Sequence, residues 1–208
     1  MERITRAIPF SCHLLASPPR LDGIREVRRS VEASSHDTGS AKTAALGTSD
    51  GRRHICLGKK RGLEVGNTKC GKGTKIMLLV DSRGLPLSEM TIGANVAEVN
   101  TIETLVDIQV AGKRPKHLLY DRAADADWLR ASLRDRGIEL VCPHRRGRKK
   151  KATQDGRSLR RYKHRWVVER TFSWLFNFRR LLTRHEFYAH LFEGFVVLAC
   201  LLITLRGF

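Results

Sequence analysis

The chain has 208 residues, enough for one sizeable domain with an extension, and its 41% hydrophobic content fits a globular protein with a core. Thirty-nine Lys and Arg stand against 21 acidic residues, a formal charge of +18, which opposes compaction unless a polyanion screens it. Nucleic acid is therefore the first partner to consider and an anionic membrane surface the second, while five scattered cysteines with no CxxC pair argue against a disulfide framework or a zinc knuckle.

Residues 1–48 show neither helical nor strand periodicity, carry the polar run Ser34-Ser35-His36-Asp37-Thr38-Gly39-Ser40, and are expected to be irregular or disordered. The patch Ile8–Ala16, interrupted by Pro9, Ser11 and His13, is a poor signal peptide. The pattern becomes orderly from about residue 52, within the domain expected over 49–208. Arg53–Leu57 reads as a short strand, and Lys75–Val80 as a second that stops at the turn Asp81-Ser82-Arg83-Gly84. Leu85–Ile92 then returns as an antiparallel partner. Ala97–Val110 has helical spacing, with Val99, Ile102, Leu105, Val106 and Val110 near one face. His117–Tyr120 is a short apolar run ending at Asp121. Asp125–Arg136 is a second helix, with Trp128, Leu129 and Leu133 inward and Gly137 as its stop.

Ile138–Cys142 makes a further strand, closed by Pro143. Arg145–Arg165 holds eleven Lys or Arg and a single acid, Asp155, beginning as a loop and running into a long helix over about Leu159–Leu182. A last apolar helix covers about His190–Leu205. Its strongly apolar part, Phe195–Leu205, falls short of the roughly 20 residues that span a bilayer, so a buried core helix is expected and no membrane partner. An antiparallel meander followed by βαβ units predicts an α/β mixed sheet, antiparallel on one side and parallel on the other, with helices on its faces. That order is the one found in ribonuclease H-like domains.

Gly66–Lys72 fits GxxxxGK, but Gly73 stands where a P-loop needs Ser or Thr, and a β-rich run follows where a helix should start. A basic turn is the better reading. Cys142-Pro143-His144 offers two metal-ligand types without partners at zinc-site spacing. Asp121 ends a short strand, the place where functional groups gather in sheets of this kind. It is equally placed to cap a helix, and spacing alone leaves both readings open, although Asp125 sits better for capping the helix that follows. Tyr162, Arg165 and Glu169 fall on one helical stripe beside the apolar stripe of Val168, Phe172, Leu175 and Leu182. The competing reading of Glu169 is an exposed ion pair with Arg165, worth about 0.3–0.5 kcal/mol. Carboxylates brought together in a cleft can hold divalent ions that activate an attacking oxygen and stabilise a leaving one.

From Val65 to Arg206 the chain resembles bacterial insertion-sequence transposases of the DDE type. The matching stretches are Val65-Gly66-Asn67-Thr68-Lys69, Gly71-Lys72-Gly73-Thr74-Lys75, Gly84-Leu85-Pro86-Leu87, Ala97-Glu98-Val99, Asp121-Arg122-Ala123 and Arg136-Gly137-Ile138-Glu139-Leu140. The C-terminal match is the densest: Arg161-Tyr162, Arg165-Trp166, Val168-Glu169-Arg170, Phe172, Trp174-Leu175 and Asn177–Leu181. The resemblance implies a ribonuclease H-like fold and metal-dependent DNA strand cleavage and transfer with Mg²⁺ or Mn²⁺. In the scheme that this resemblance implies, water attacks a strand at the element end, and the freed 3′-hydroxyl later attacks target DNA. It places the second acidic ligand on Asp121 and the third on Glu169, and sets Tyr162 and Arg165 to orient the carboxylate or contact DNA.

The basic surface expected to meet DNA comprises Arg145, Arg146, Arg148, Lys149, Lys150, Lys151, Arg161, Tyr162 and Arg165. Insertion-sequence ends and target DNA are the implied partners, a homodimer the implied assembly, and the bacterial cytoplasm, on the nucleoid, the implied location. Two departures stand out. Phe176 takes the place of a basic or polar residue after the Glu, with Asn177 the nearest polar substitute. The first acidic ligand is expected near Arg52 on the opening strand, which leaves Asp50, two residues earlier, as the candidate. With an unrecognisable N-terminal region, this suggests an altered or truncated copy. The alternative function is thus a decayed, inactive remnant that binds nucleic acid through its basic surface.

Overall fold

The structure, a computed structural model, describes residues 43–48, 56–58, 62–69, 71–109, 114–149, 151–154 and 156–206. Its strands are β1 (Thr43–Thr48), β2 (Cys56–Gly58), β3 (Gly66–Thr68), β4 (Gly71–Val80), β5 (Pro86–Gly93), β6 (His117–Leu119), β7 (Glu139–Val141) and β8 (Thr183–Arg184). Its α-helices are α1 (Ile102–Asp107), α2 (Asp127–Asp135), α3 (Gly156–Arg160), α4 (Trp166–Leu175) and α5 (Ala189–Arg206).

The longest apolar run makes the spine of the sheet. Along β4, Ile76, Leu78 and Val80 point to one face and Met77 and Leu79 to the other, and all five are fully buried. A strand reads as continuously apolar when helices cover both faces. On one face α4 and α5 bring Val168, Phe172, Leu175, Phe192, Val196 and Ile203 onto Ala45, Leu78 and Leu119. On the other α1 and α2 bring Ile102, Leu105, Leu129 and Leu133 onto Met77, Leu79, Leu118 and Tyr120.

Strand order fixes where a site can form. β5 and β1 flank β4 antiparallel, and β6 and β7 continue from β1 in parallel. The first strand therefore lies between a meander and the parallel strands, which is the ribonuclease H-like arrangement expected from the sequence. Two short pairings extend it: β3 makes a hairpin onto β4, and β2 joins β4 to β8. β1 and β2 share the same edge of β4, with Thr48 opposite Met77 and Cys56 opposite Thr74.

The structure corrects several expectations. The irregular segment expected through residue 48 does not reach that far, because Thr43–Thr48 is β1, paired along both edges. Its sequence, TAALGT, has weak strand preference, so pairing on two sides overrides propensity; residues 1–42 lie outside the described residues. The strand expected over Arg53–Leu57 is described only as Cys56–Gly58. The single long helix over Leu159–Leu182 is instead α3, a 3₁₀ segment Arg161–Arg165 and α4, ending at Leu175. In α2, Trp128 points outward and is half exposed, while Arg130 turns inward to carbonyls and a carboxylate that need its charge. The last helix, expected to be a buried core helix, buries one face only. Gly66–Lys72 forms the β3–β4 hairpin with Gly71 at φ +118°, so no helix follows it to cradle a phosphate.

Candidate active site

Asp121 follows β6, and the packing beneath it holds that strand end in place. The Tyr120 hydroxyl donates to Glu98 Oε2, and Lys75 Nζ donates to Glu98 Oε1 at 3.3 Å, all three groups being buried. This gives a physical reason for Glu98 within the Ala97-Glu98-Val99 match. Asp121 Oδ1 accepts from the Ala123 backbone N–H at 2.8 Å, capping the 3₁₀ turn Arg122–Ala124. Oδ2 faces Arg165 Nη2 at 3.9 Å.

Arg165 reaches this place because of the 3₁₀ segment before α4. At three residues per turn, positions i and i+3 eclipse, so Arg165 stands over Tyr162 and donates from Nη1 to its hydroxyl at 3.0 Å. The chain then tightens into α4, and Glu169, one turn on, brings Oε1 to 3.7 Å from Arg165 Nη2. One guanidinium nitrogen thus lies between the two carboxylates that the sequence singled out. Burial alone would lower the Arg165 pKa, but the Tyr162 hydroxyl and the charges of Asp121 and Glu169 outweigh it and raise it. Its Nε is buried and unpartnered. Both ion pairs reach water, and such pairs are worth about 0–1 kcal/mol, so Arg165 can leave either carboxylate at little cost.

Asp121 Oδ2 and Glu169 Oε1 both face Arg165 Nη2, and carboxylate oxygens are the donor type that a divalent cation such as Mg²⁺ takes. Among the described residues no three His, Cys, Asp or Glu side chains cluster at ligand spacing. Asp50, the expected first ligand, lies outside the described residues, and β1 itself carries no acid. Its parallel register, Ala45 beside Leu119, puts Gly47 level with Asp121.

The basic residues divide into two groups. Arg146, Lys149, Lys151 and Arg161 are exposed, with Tyr162 and Arg165 half-buried beside them; Lys150 lies outside the described residues. Arg145 and Arg148 are occupied within the fold. Arg145 donates to the carbonyls of Arg122 and Ala123, and Arg148 pairs with Asp125 at 3.1 Å and with Asp127.

The hub of that second group is Asp125, which was missed. The sequence assigned it to capping α2, but the N-cap is Ala126, and Asp121 is the Asp that caps. The Asp125 carboxylate is buried and accepts from Arg130 Nη2 (3.1 Å), Arg148 Nη1 (3.1 Å), the Arg145 N–H (2.8 Å) and His144 Nδ1 (2.9 Å). Burial alone would raise its pKa, yet the Arg145 N–H, His144 and Arg130 hold it well below the usual carboxylate range. His144 Nε2 accepts from the Thr153 N–H at 3.1 Å, which leaves the proton on Nδ1. Cys142 Sγ accepts from Arg130 at 2.8 Å, so both ligand atoms of the Cys-Pro-His motif are committed. Two further features flank the site. Arg170 lies 4.8 Å from the rings of both Trp166 and Trp174 on the outer side of α4. Phe176 stacks on Phe172 against the core, which accounts for an apolar residue where a polar one was expected.

A model of the transposase DDE domain matches residues 33–204. This chain belongs to the DDE transposase family. A putative transposase for insertion sequence element IS402 from Burkholderia cepacia is 40% identical over 145 residues, covering 64% of this chain and 65% of that protein. The transposase chain described here therefore spans just under two-thirds of that relative. Among solved structures it is similar to a piggyBac transposase synaptic complex with hairpin DNA (TM-score 0.49, 10% identity, 82% of this chain and 48% of that one). It is also similar to the catalytic core domain of BIV integrase (TM-score 0.41, 15% identity, 78% and 82%).

Proposed function

We propose that this transposase chain cleaves DNA at insertion-sequence ends and joins the freed 3′-hydroxyl to target DNA. The observation that carries this reading is the convergence of Asp121 and Glu169 on Arg165 in a DDE-family fold. Asp121, Glu169 and Asp50 would hold Mg²⁺ or Mn²⁺. Such ions, when bound, would supply Lewis-acid chemistry that activates an attacking oxygen and stabilises charge on the leaving one. The chain's own groups do the rest. Arg165 is positioned to move from the carboxylates to a phosphate oxygen, donating from its guanidinium edge. Tyr162 fixes that guanidinium from behind, and Arg146, Lys149, Lys151 and Arg161 supply phosphate contacts. The partners in this reading are the element ends, target DNA and a second copy of the chain, and the setting is the bacterial nucleoid in the cytoplasm.

A specific observation favours the second reading, an inactive remnant that binds nucleic acid. β1 contains no acid, and Gly47 stands level with Asp121. A strand-cleavage assay on matched element ends with Mg²⁺ or Mn²⁺ decides between them. Cleavage lost in both Asp121→Asn and Glu169→Gln supports the enzyme, and its loss in Asp50→Ala identifies the first ligand. Salt-dependent DNA binding without cleavage under either ion supports the remnant.

A further inference from the structure

The chain has three tryptophans and buries none of them. Trp128 is 50% exposed, Trp166 52% and Trp174 38%, although an indole is among the side chains that gain most from the core. Trp166 and Trp174 stand apart from Trp128 because they share the outer side of α4, with Arg170 midway between them. The Arg170 Cζ lies over both rings, 4.8 Å from each centroid, and its Nη2 donates to the Arg83 carbonyl. The guanidinium is thus held from the turn between β4 and β5, and it holds the two indoles in its turn. Both rings keep their exposure with Arg170 in place, so each still presents ring surface to solvent.

Position and charge indicate what would use this surface. Trp166 and Glu169 are three residues apart on the helix, which makes them surface neighbours with Cβ atoms about 5–6 Å apart. Residues 156–185 hold nine Lys or Arg and one acid, Glu169 itself. Arg83, whose carbonyl anchors the stack, and Lys163, three residues before Trp166, are exposed. The core of a protein–protein contact is depleted in charge. Planar rings set among cations are instead the arrangement that binds single-stranded nucleic acid, with Arg adding its own contact to the π-system. Paired bases keep their faces inside the duplex, so only an unpaired base can lie on an indole.

We propose that Trp166, Arg170 and Trp174 form a stacking platform for unpaired DNA bases beside Glu169. A strand whose phosphate lies at the Asp121 and Glu169 carboxylates has its neighbouring base within reach of the Trp166 ring once that base leaves its partner. Every base has a π-face, so the platform is indifferent to sequence and favours open over paired DNA. It neutralises no phosphate, so its contribution does not vary with salt as that of Lys and Arg does. The platform rests on the proposed function, in which DNA runs past Glu169, and adds that the strand there is open.

The test is fluorescence anisotropy of the full chain without divalent ions, over a salt series, on a labelled duplex and on the same duplex with a short single-stranded gap. Wild type should bind the gapped form more tightly. Trp166→Ala and Trp174→Ala should each weaken gapped binding at least about fivefold, the lower end for loss of one stacked base, and leave duplex binding and the salt slope unchanged. Trp166→Phe should keep most of the affinity, since a ring remains, and Trp128→Ala all of it, with circular dichroism showing every variant folded. A wild type that binds neither form overturns the platform and the DNA reading together. Equal binding of the two forms, an equal loss on both in the Trp166 and Trp174 variants, or a loss in Trp166→Phe as large as in Trp166→Ala overturns the platform and leaves the DNA reading standing. Unchanged binding in every variant also overturns it, and leaves the rings to a protein contact.

Discussion

Replacing Asp125 with Ala should destabilise the chain more than any single change in the exposed basic loop. The carboxylate is 1% exposed and its pair with Arg130 is buried on both sides, the guanidinium side chain being 8% exposed. Removing one partner of a buried pair costs about 3–5 kcal/mol, because the remaining charge is left without compensation. The Arg145 N–H and His144 Nδ1 lose their acceptor in the same step. At this chain length that corresponds to a fall of about 10 °C in Tm. Urea denaturation with wild type in parallel measures it, and a loss under about 1 kcal/mol would refute the account of Asp125 as the hub. The pH dependence follows from its depressed pKa. A carboxyl lowered by folding contributes stability that is complete above its unfolded value of about 4 and lost as pH falls through the folded value. The gap between wild type and Asp125→Ala should therefore be constant from neutral pH to about pH 5 and narrow below pH 4.

Four further outcomes follow from the structure. Lys149→Ala and Lys151→Ala should each reduce the slope of log binding constant against log salt by about 0.9, if each neutralises one phosphate, and leave Tm unchanged. Arg148→Ala should lower Tm as well, since its guanidinium holds Asp125 and Asp127; equal effects in both assays for all three would refute the division of the basic residues. Gly62→Ala should cost about 1–3 kcal/mol, because its Cβ would sit 2.2 Å from the Phe187 carbonyl oxygen. Burial pushes the Cys56 thiol up to about 12 and the Cys142 thiol up to about 11, so mass spectrometry after alkylation at pH 8 should find both unmodified until the chain is unfolded.

The elements that were legible in the sequence are those whose burial follows a simple period. β4 and β5 showed themselves because the apolar run, the Asp81–Gly84 turn and the returning run lie within twenty residues. Leu129 and Leu133 marked the inner face of α2 for the same reason. β1 and β8 escaped notice because they are held by partners distant in the chain and carry little local preference. Asp121, Glu169, Tyr162 and Arg165 were found through resemblance. Their approach to one another depends on the 3₁₀ pitch at Arg161–Arg165, and a uniform helix drawn from periodicity cannot show that pitch. Asp125 was misassigned because a capping Asp and a buried ion-pair Asp look alike until the residues it meets, 19 to 23 positions away at His144 and Arg148, are placed. Trp128 was misread because size alone argued for burial, while the adjacent Arg130 took the inner position.

The β2–β8 contact constrains how the protein can be made. Arg184 is buried and donates to Thr74 Oγ1 and the Leu63 carbonyl, groups that precede it by 110 and 121 residues, and it closes over the Phe192 ring. A ribosome delivers those acceptors long before the donor that satisfies them. During synthesis the early hairpin must wait with part of its hydrogen bonding supplied by water, and contacts of such sequence separation are the slow ones to close. The order of emergence from the ribosome thus makes the C-terminal quarter of the chain the step that completes the sheet.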